Sequence, residues 1–353
     1  MTNADDQEKA KRRPKRRFGL LRWTSRLLFV LALVASAGFF WAQGRVLAAP
    51  EWLRSDLEAR VNAKLNDAKI VMGGAVMLLE NGWRPQFRIQ NLEVLRPDGA
   101  EVVSFSQVGG RLDLAALREG RVAFKSLDVS GVFVSLRRSV DSGVALSAGF
   151  TPSEAVTERA PNLAQLVAQL DGFLLRPGLA ELTEANVRGI TLRYEDERAD
   201  RAWTIDGGRF RLDRQDLDIQ LAVDLAVLGG GTQVATLSAN YTGVIGEQAS
   251  QFGVSFSDVA SRDIASQSTA FSWLAGLGAP LSGSLRGGLD EEGILTPLNA
   301  TFEISEGAIQ PQPEAQPVPI KFARSYFTYL PGEQLLRFDA LEIESAWGSG
   351  LLE

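Results

Sequence analysis

The sequence predicts a mainly β protein: a basic-flanked apolar N-terminal segment, then a long succession of β-strands with a few short helices. Three observations predict it. Residues 216–227, "DLDIQLAVDLAV", put a large aliphatic at every odd position and a polar or small residue at every even one. That is the period of a strand with one apolar face. Short apolar runs separated by turn signals fill the chain from residue 70 onward. Ahead of them, nine Lys and Arg within residues 1–26 precede a charge-free apolar stretch over 27–42.

The N-terminal elements come first. Residues 1–26 form a basic arm. The charge-free run over 27–42 is short of the ~20 residues a bilayer needs; extending back to Leu20, with Arg22 and Arg26 snorkelling to the headgroups, makes up the length, and the anchor is taken as 27–46. Trp23 and Trp41 sit near its two ends, where interfacial aromatics belong. The positive flank keeps the arm in the cytoplasm and sends the rest of the chain across. A cleaved signal peptide is the rival reading, with Ala35, Ser36 and Ala37 as a small-x-small cleavage pattern. Either reading places the body outside the cytoplasm. Residues 47–69 follow as a short amphipathic helix with Leu53, Leu57, Val61 and Leu65 at four-residue steps and Pro50 at its start, suited to cover the end of a sheet.

From residue 70 to 353 the pattern is strand after strand. Turn signals stand at Asn81-Gly82, Pro97-Asp98-Gly99, Arg118-Glu119-Gly120, Asp141-Ser142-Gly143, Gly229-Gly230-Gly231 and Pro331-Gly332. Val132, Val134 and Leu136 mark one strand face. Residues 152–175 interrupt the rhythm with Leu163, Leu166, Val167, Leu170 and Leu174 on one helical face. A second short helix is predicted over 268–277, and 311–319 is a proline-rich loop. The final strands read as an open edge, so the region is expected to be truncated at its C-terminus.

Composition narrows the chemistry. There is no His and no Cys. That removes Ser-His-Asp and Cys-His catalysis, His- or Cys-ligated zinc, haem and iron–sulfur sites, and disulfides. No P-loop and no G-x-G-x-x-G is present. The paired carboxylates in Glu195-Asp196-Glu197 and Asp290-Glu291-Glu292 read as solvated turns. The expectation is a non-enzyme with no cofactor, no metal and no nucleic-acid partner, since the basic arm is followed by an acidic body.

Three blocks of sequence carry a family resemblance: "WRPQFRIQNLEVLRPDGAEV" leading into "LDLAALREGRVAFKSLDVSGVFVSLRR", then "VRGITLRYEDERADRAWTIDGGRFRLDR", then "LAGLGAPLSGSLRGGLDEEGILTPLNATFEISEGAIQ". Together, behind a basic-flanked apolar segment, they resemble the AsmA-like family, in its YhdP-type branch. The resemblance implies an N-terminal transmembrane helix that anchors the chain in the bacterial inner membrane with a cytoplasmic N-terminus, followed by a long, twisted, curled antiparallel β-sheet, a periplasmic β-groove that helps move phospholipids between inner and outer membranes. Leu217, Ile219, Leu221, Val223 and Leu225, with Val132, Val134 and Leu136, are then the candidates to line the groove and hold acyl chains. Aliphatic lining suits a chain that must slide, because burial is worth roughly 0.8 kcal/mol per CH₂ and has no direction. Read without the resemblance, the same faces are the core of a sandwich. The alternative function is an envelope assembly factor with a closed β core and a protein partner on an edge strand.

Overall fold

A computed structural model describes residues 29–34, 36, 46–63, 65, 68–80, 84–97, 99, 101–138, 144–146, 163–196, 201–228, 234–265, 269–310, 312 and 314–352. Among the described residues seventeen strands form one sheet. They are β1 (Val46–Ala48), β2 (Lys69–Glu80), β3 (Arg84–Leu95), β4 (Glu101–Leu112), β5 (Phe124–Arg138), β6 (Val144–Leu146), β7 (Glu184–Asp196), β8 (Arg201–Gln215) and β9 (Asp218–Leu228). The second half adds β10 (Ala235–Val244), β11 (Ser250–Ala260), β12 (Pro280–Leu289), β13 (Leu298–Ile304), β14 (Gly307–Ile309), β15 (Val318–Leu330), β16 (Leu335–Ser345) and β17 (Gly348–Leu352). The helices are α1 (Glu51–Asn62), α2 (Leu114–Arg118), α3 (Leu163–Leu174) and α4 (Ser261–Ala265), with a 3₁₀ helix at Thr269–Gly276.

Strands pair with their sequence neighbours, so the sheet runs in chain order from β1 to β17. The short β6 and β14 continue the lines of β4 and β13 beside β5 and β15, so that β7 follows β5 and β15 follows β13. At 4.7–4.9 Å per strand the ribbon is roughly 65 Å wide. One pair breaks the expected antiparallel pattern: β5 and β7 are parallel. The reason is the segment that carries α3. A parallel pair needs a crossover rather than a hairpin, and this helical interruption lies within it.

The apolar face is continuous from strand to strand. Leu221, Val223, Leu225 and Val227 of β9 stand opposite Tyr241, Ala239, Leu237 and Ala235 of β10. On the other side Leu221, Val223 and Val227 meet Leu212, Phe210 and Ile205 of β8. The opposite face carries Asp224 against Ser238, with the hydroxyl donating at 2.8 Å, and Arg324 against Glu303 at 2.8 Å.

In the N-terminal half the alternation slips by one residue along a line. On β3 the apolar residues are Phe87 and Ile89, then Leu92 and Val94; on β5 they are Leu127 and Val129, then Val132 and Val134; on β7 they are Ala185 and Val187, then Ile190 and Leu192. The slip sits at Asn91, Gly131 and Gly189, with φ of 48°, 63° and 65°. By register these positions are adjacent, and the line reaches Gly73 on β2 and the bulge at Gly207 on β8. A Cβ on Gly73 would stand 2.9 Å from that of Asn91. A left-handed residue breaks the pleat of its strand, and between β2 and β7 the register does not shift across the row, so the aligned breaks form a crease, a line where the alternation changes phase.

Several predicted boundaries move. Asp216 and Leu217 are the turn before β9, with Asp216 at φ 56°, so the long strand starts two residues later than its pattern. The helix expected over 47–69 is α1 alone, because residues on both sides pair as β1 and β2. Arg118-Glu119-Gly120 is not a hairpin turn but the end of α2, whose N-cap Asp113 accepts from the Ala116 amide at 2.8 Å. Val46, placed at the end of the anchor, opens β1. Residues 29–34 are helical, and among the described residues no helix is long and apolar enough to cross a membrane. The transmembrane helix is thus without support here, and Arg22, Trp23, Arg26 and Trp41 lie outside the described residues.

Candidate functional site

Two clusters of buried apolar side chains on the apolar face lie under helical segments, and they sit at opposite ends of the strands. At the end where β9 starts, α3 lies on the sheet. Its Leu174 packs with Leu182, Ala185, Leu212, Ile219 and Ile245, and Leu221 and Tyr241 border this cluster. Asp171 of α3 is buried, and its Oδ2 accepts from the Gly246 amide at 2.9 Å, which ties the helix to the β10–β11 turn. Burial pushes the Tyr241 phenol up from its ordinary pKa, as expected where the neutral form is favoured. At the other end, α4 and the 3₁₀ helix seat Leu274, Leu277 and Ala279 on Leu281, with Phe256, Phe302 and Ile304 around them.

Between these two caps the face is half-buried. Val223, Leu225 and Val227 of β9 are neither buried nor fully exposed, whereas Ile219 under α3 is 1% exposed. A sandwich core would bring all four to the Ile219 condition. Val132, beside the crease, is 8% exposed although it belongs to neither helix-covered cluster.

The sequence-predicted lining residues therefore divide. Val223 and Leu225 line the uncovered face. Leu221 is on the same face but borders the α3 cluster. Ile219 is closed core under α3, and Leu217 is a turn residue 51% exposed, so neither lines an open groove. Val132 and Val134 stand opposite Phe105 and Val103 of β4, which puts them on the same face across the crease. Leu136 is opposite Tyr194 in register, and its side chain is outside the described residues. On the carboxylate runs, Glu195 belongs to β7 rather than a turn and pairs with Arg193 at 2.9 Å. Asp290 does sit in a turn, its Oδ1 accepting from the Ile294 amide at 2.8 Å.

The two edges of the sheet are finished differently. Beyond the short β1, the edge of β2 is capped by side chains of α1. Asn62 accepts from the Ile70 amide at 2.7 Å and donates to the Ile70 carbonyl at 2.9 Å. Glu58 accepts from the Met72 amide at 2.6 Å, and Arg54 donates to the Gly73 carbonyl at 2.8 Å. Residues four apart share a helix face, so 54, 58 and 62 imitate the polar edge of a strand. The sequence signal was this four-residue spacing, one position off the apolar stripe. On β17, by contrast, no strand pairs with the outer edge among the described residues, and Leu351 and Leu352 are exposed.

On the polar side of β15 and β16, hydrogen bonds from Arg337 and Thr328 hold the Asp339 carboxyl below the usual range. These groups lie on the opposite face of the sheet, with Thr328 buried and Asp339 exposed. Among the described residues no group of three or more acidic side chains is placed to hold a metal ion. Comparison with protein-family models, curated proteins and solved structures finds no match.

Proposed function

We propose that the protein is a non-enzymatic lipid carrier of the bacterial envelope, anchored in the inner membrane, whose apolar sheet face conducts phospholipid acyl chains toward the outer membrane. One observation carries the reading: a continuous apolar face across the sheet, capped by helices at its ends and half-exposed between them. Such a face is too large to leave to water, since exposed apolar patches of more than a few hundred Å² mark binding surfaces. Alkyl chains fit it because the middle of the face offers no charge and no fixed polar contact. The crease supplies the curvature a chain-wide trough needs. The sequence resemblance to the AsmA-like family points the same way.

The test is extraction of the purified body and analysis of its organic phase, combined with a photo-crosslinking residue at Val223. Co-purified phospholipid and lipid adducts at Val223 are expected. A lipid-free body with no adduct in folded protein would sink the proposal. The second reading, an assembly factor that binds a protein strand, is favoured by the outer edge of β17, with which no strand pairs among the described residues. It predicts that Leu351→Lys or Ser349→Pro abolishes partner binding while leaving lipid content unchanged.

A further inference from the structure

At the end of the apolar face opposite α3 lies a pocket of about 570 Å³, within the roughly 300–1,000 Å³ range of ligand pockets. Its floor is the face itself: Val227 of β9 with Ala235 and Leu237 of β10. Trp203 adds an aromatic wall and is held by stacking on Tyr194 at 5.5 Å. Leu277, Ala279 and Pro280 close the far side.

The wall that carries charge is built by a break in β11. The register shifts between Phe256 and Val259, and Asp258 takes φ 58° there. The Ser282 hydroxyl accepts from the Asp258 amide at 3.1 Å and fixes this turn. The chain then enters α4, anchored by a hydrogen bond from the buried Ser261 hydroxyl to the Leu277 carbonyl. Three charges result on the pocket lining: Asp258, Arg262 and Asp263. Asp263 already has a partner. Asp258 and Arg262 carry no ion pair among the described residues, and both side chains are exposed at the rim.

We propose that this pocket binds a zwitterionic phospholipid, with an acyl chain on the Val227–Leu237 floor, the phosphate at Arg262 and the headgroup ammonium at Asp258. An apolar floor beside one unpaired cation and one unpaired anion matches that molecule in each part. A purely anionic headgroup would meet the Asp258 carboxylate, and an uncharged one would leave both charges without a partner. Charge-assisted hydrogen bonds to phosphate are the kind a guanidinium makes best. The assignment rests on the apolar face being lipid-bearing, and it adds a fixed station at one end of a surface that is otherwise featureless.

The test uses the full chain with a photo-crosslinking residue at Leu237, exposed to vesicles of phosphatidylethanolamine or of phosphatidylglycerol. Adduct yield for phosphatidylethanolamine is expected to exceed that for phosphatidylglycerol by about tenfold. Asp258→Asn, which tolerates the positive φ, should shift capture toward phosphatidylglycerol. Arg262→Gln should lower capture of both lipids, and Arg262→Lys should restore part of it. Equal capture of the two lipids, unchanged by these variants, overturns the headgroup assignment. The same residue at Val223 separates this proposal from the one before it. Adducts at Val223 without adducts at Leu237 overturn the pocket and keep the lipid-bearing face. Adducts at Leu237 alone keep the pocket and overturn passage along the face. Adducts at neither overturn both.

Discussion

The two halves of the sheet solve the same problem with different strands. In β9 the aliphatic alternation runs unbroken from Ile219 to Val227, and Leu221 to Val227 stay in register with Tyr241 to Ala235 of β10. From β2 to β8 the alternation slips by one at an aligned row of Gly73, Asn91, Ser106, Gly131, Gly189 and Gly207. Both halves nevertheless present one apolar face. The difference teaches that a perfect period of two marks a strand without a bend, and that a slip need not mark its end. Where the slip falls on glycine or another left-handed residue, the strand continues through a bend with the same side facing inward.

The largest effect is expected where the straight half is covered. Ile219→Asp places a carboxylate at a 1% exposed site beneath α3. Loss of the buried side chain and the penalty of an unpaired charge together cost about 4 kcal/mol or more. Thermal denaturation should show either a collapsed melting temperature or no cooperative transition. A near-normal melt would mean that α3 does not seal this end.

The creased half is broken at Gly131→Val. Its φ of 63° is a left-handed conformation that a β-branched residue resists, and a Cβ there runs into the Ser106 side chain. The two effects sum to about 3 kcal/mol. Ala222→Val, on the exposed polar side of β9, should change stability by less than about 0.5 kcal/mol. If both variants melt alike, the slip does not need its glycine and the crease is not encoded there.

Much of this was legible in the sequence, and the failures have physical causes. The mainly β class, the alternation of β9, the helix at α3 and the hairpin at Pro331-Gly332 all follow from local periodicity and turn chemistry. Local pattern does not report what lies on top. Ile219 and Val223 look identical along the chain, yet one is under α3 and the other is not. The buried side of α3 holds Val167, Asp171 and Leu174, while Leu163 and Leu166 of the predicted stripe are 40% and 44% exposed. The hydrogen bond from Gly246 to Asp171 turns the helix toward a residue that a hydrophobic pattern counts as outward. The edge cap at Arg54, Glu58 and Asn62 was hidden for a similar reason, since its partners are backbone groups of β2 and carry no sequence signal.

That cap gives a smaller effect. Asn62→Ala removes both hydrogen bonds to Ile70 and exposes the edge of the creased half. A loss of about 1–2 kcal/mol is expected, as for other side chains that satisfy backbone groups at an element's end. Hydrogen exchange should accelerate at the Ile70 and Met72 amides and leave β9 and β10 unchanged. Uniform acceleration across the sheet would mean the two halves unfold as one unit.

Apart from the Ala222→Val control, the smallest change in stability is expected at Val223→Asp, and it is the variant that decides what the straight half is for. Val223 shares its face with Ile219 but lies beyond the α3 cluster, and it is half-buried between Phe210 and Ala239. A carboxylate here can reach water, so it escapes most of the burial penalty that Ile219→Asp incurs. The loss should be about 1 kcal/mol, set by the missing aliphatic contact with its two neighbours. Lipid content should respond in the opposite order. A charge in the middle of the uncovered face must be desolvated by any acyl chain laid across it, so co-purified phospholipid should fall several-fold in a protein that still melts near the wild-type temperature. The two variants sit four residues apart on one strand, which removes strand identity and composition as explanations for a difference. If Val223→Asp instead destabilises the fold as severely as Ile219→Asp, another layer covers the middle of the face, and the alternation of β9 is the inside of an ordinary core.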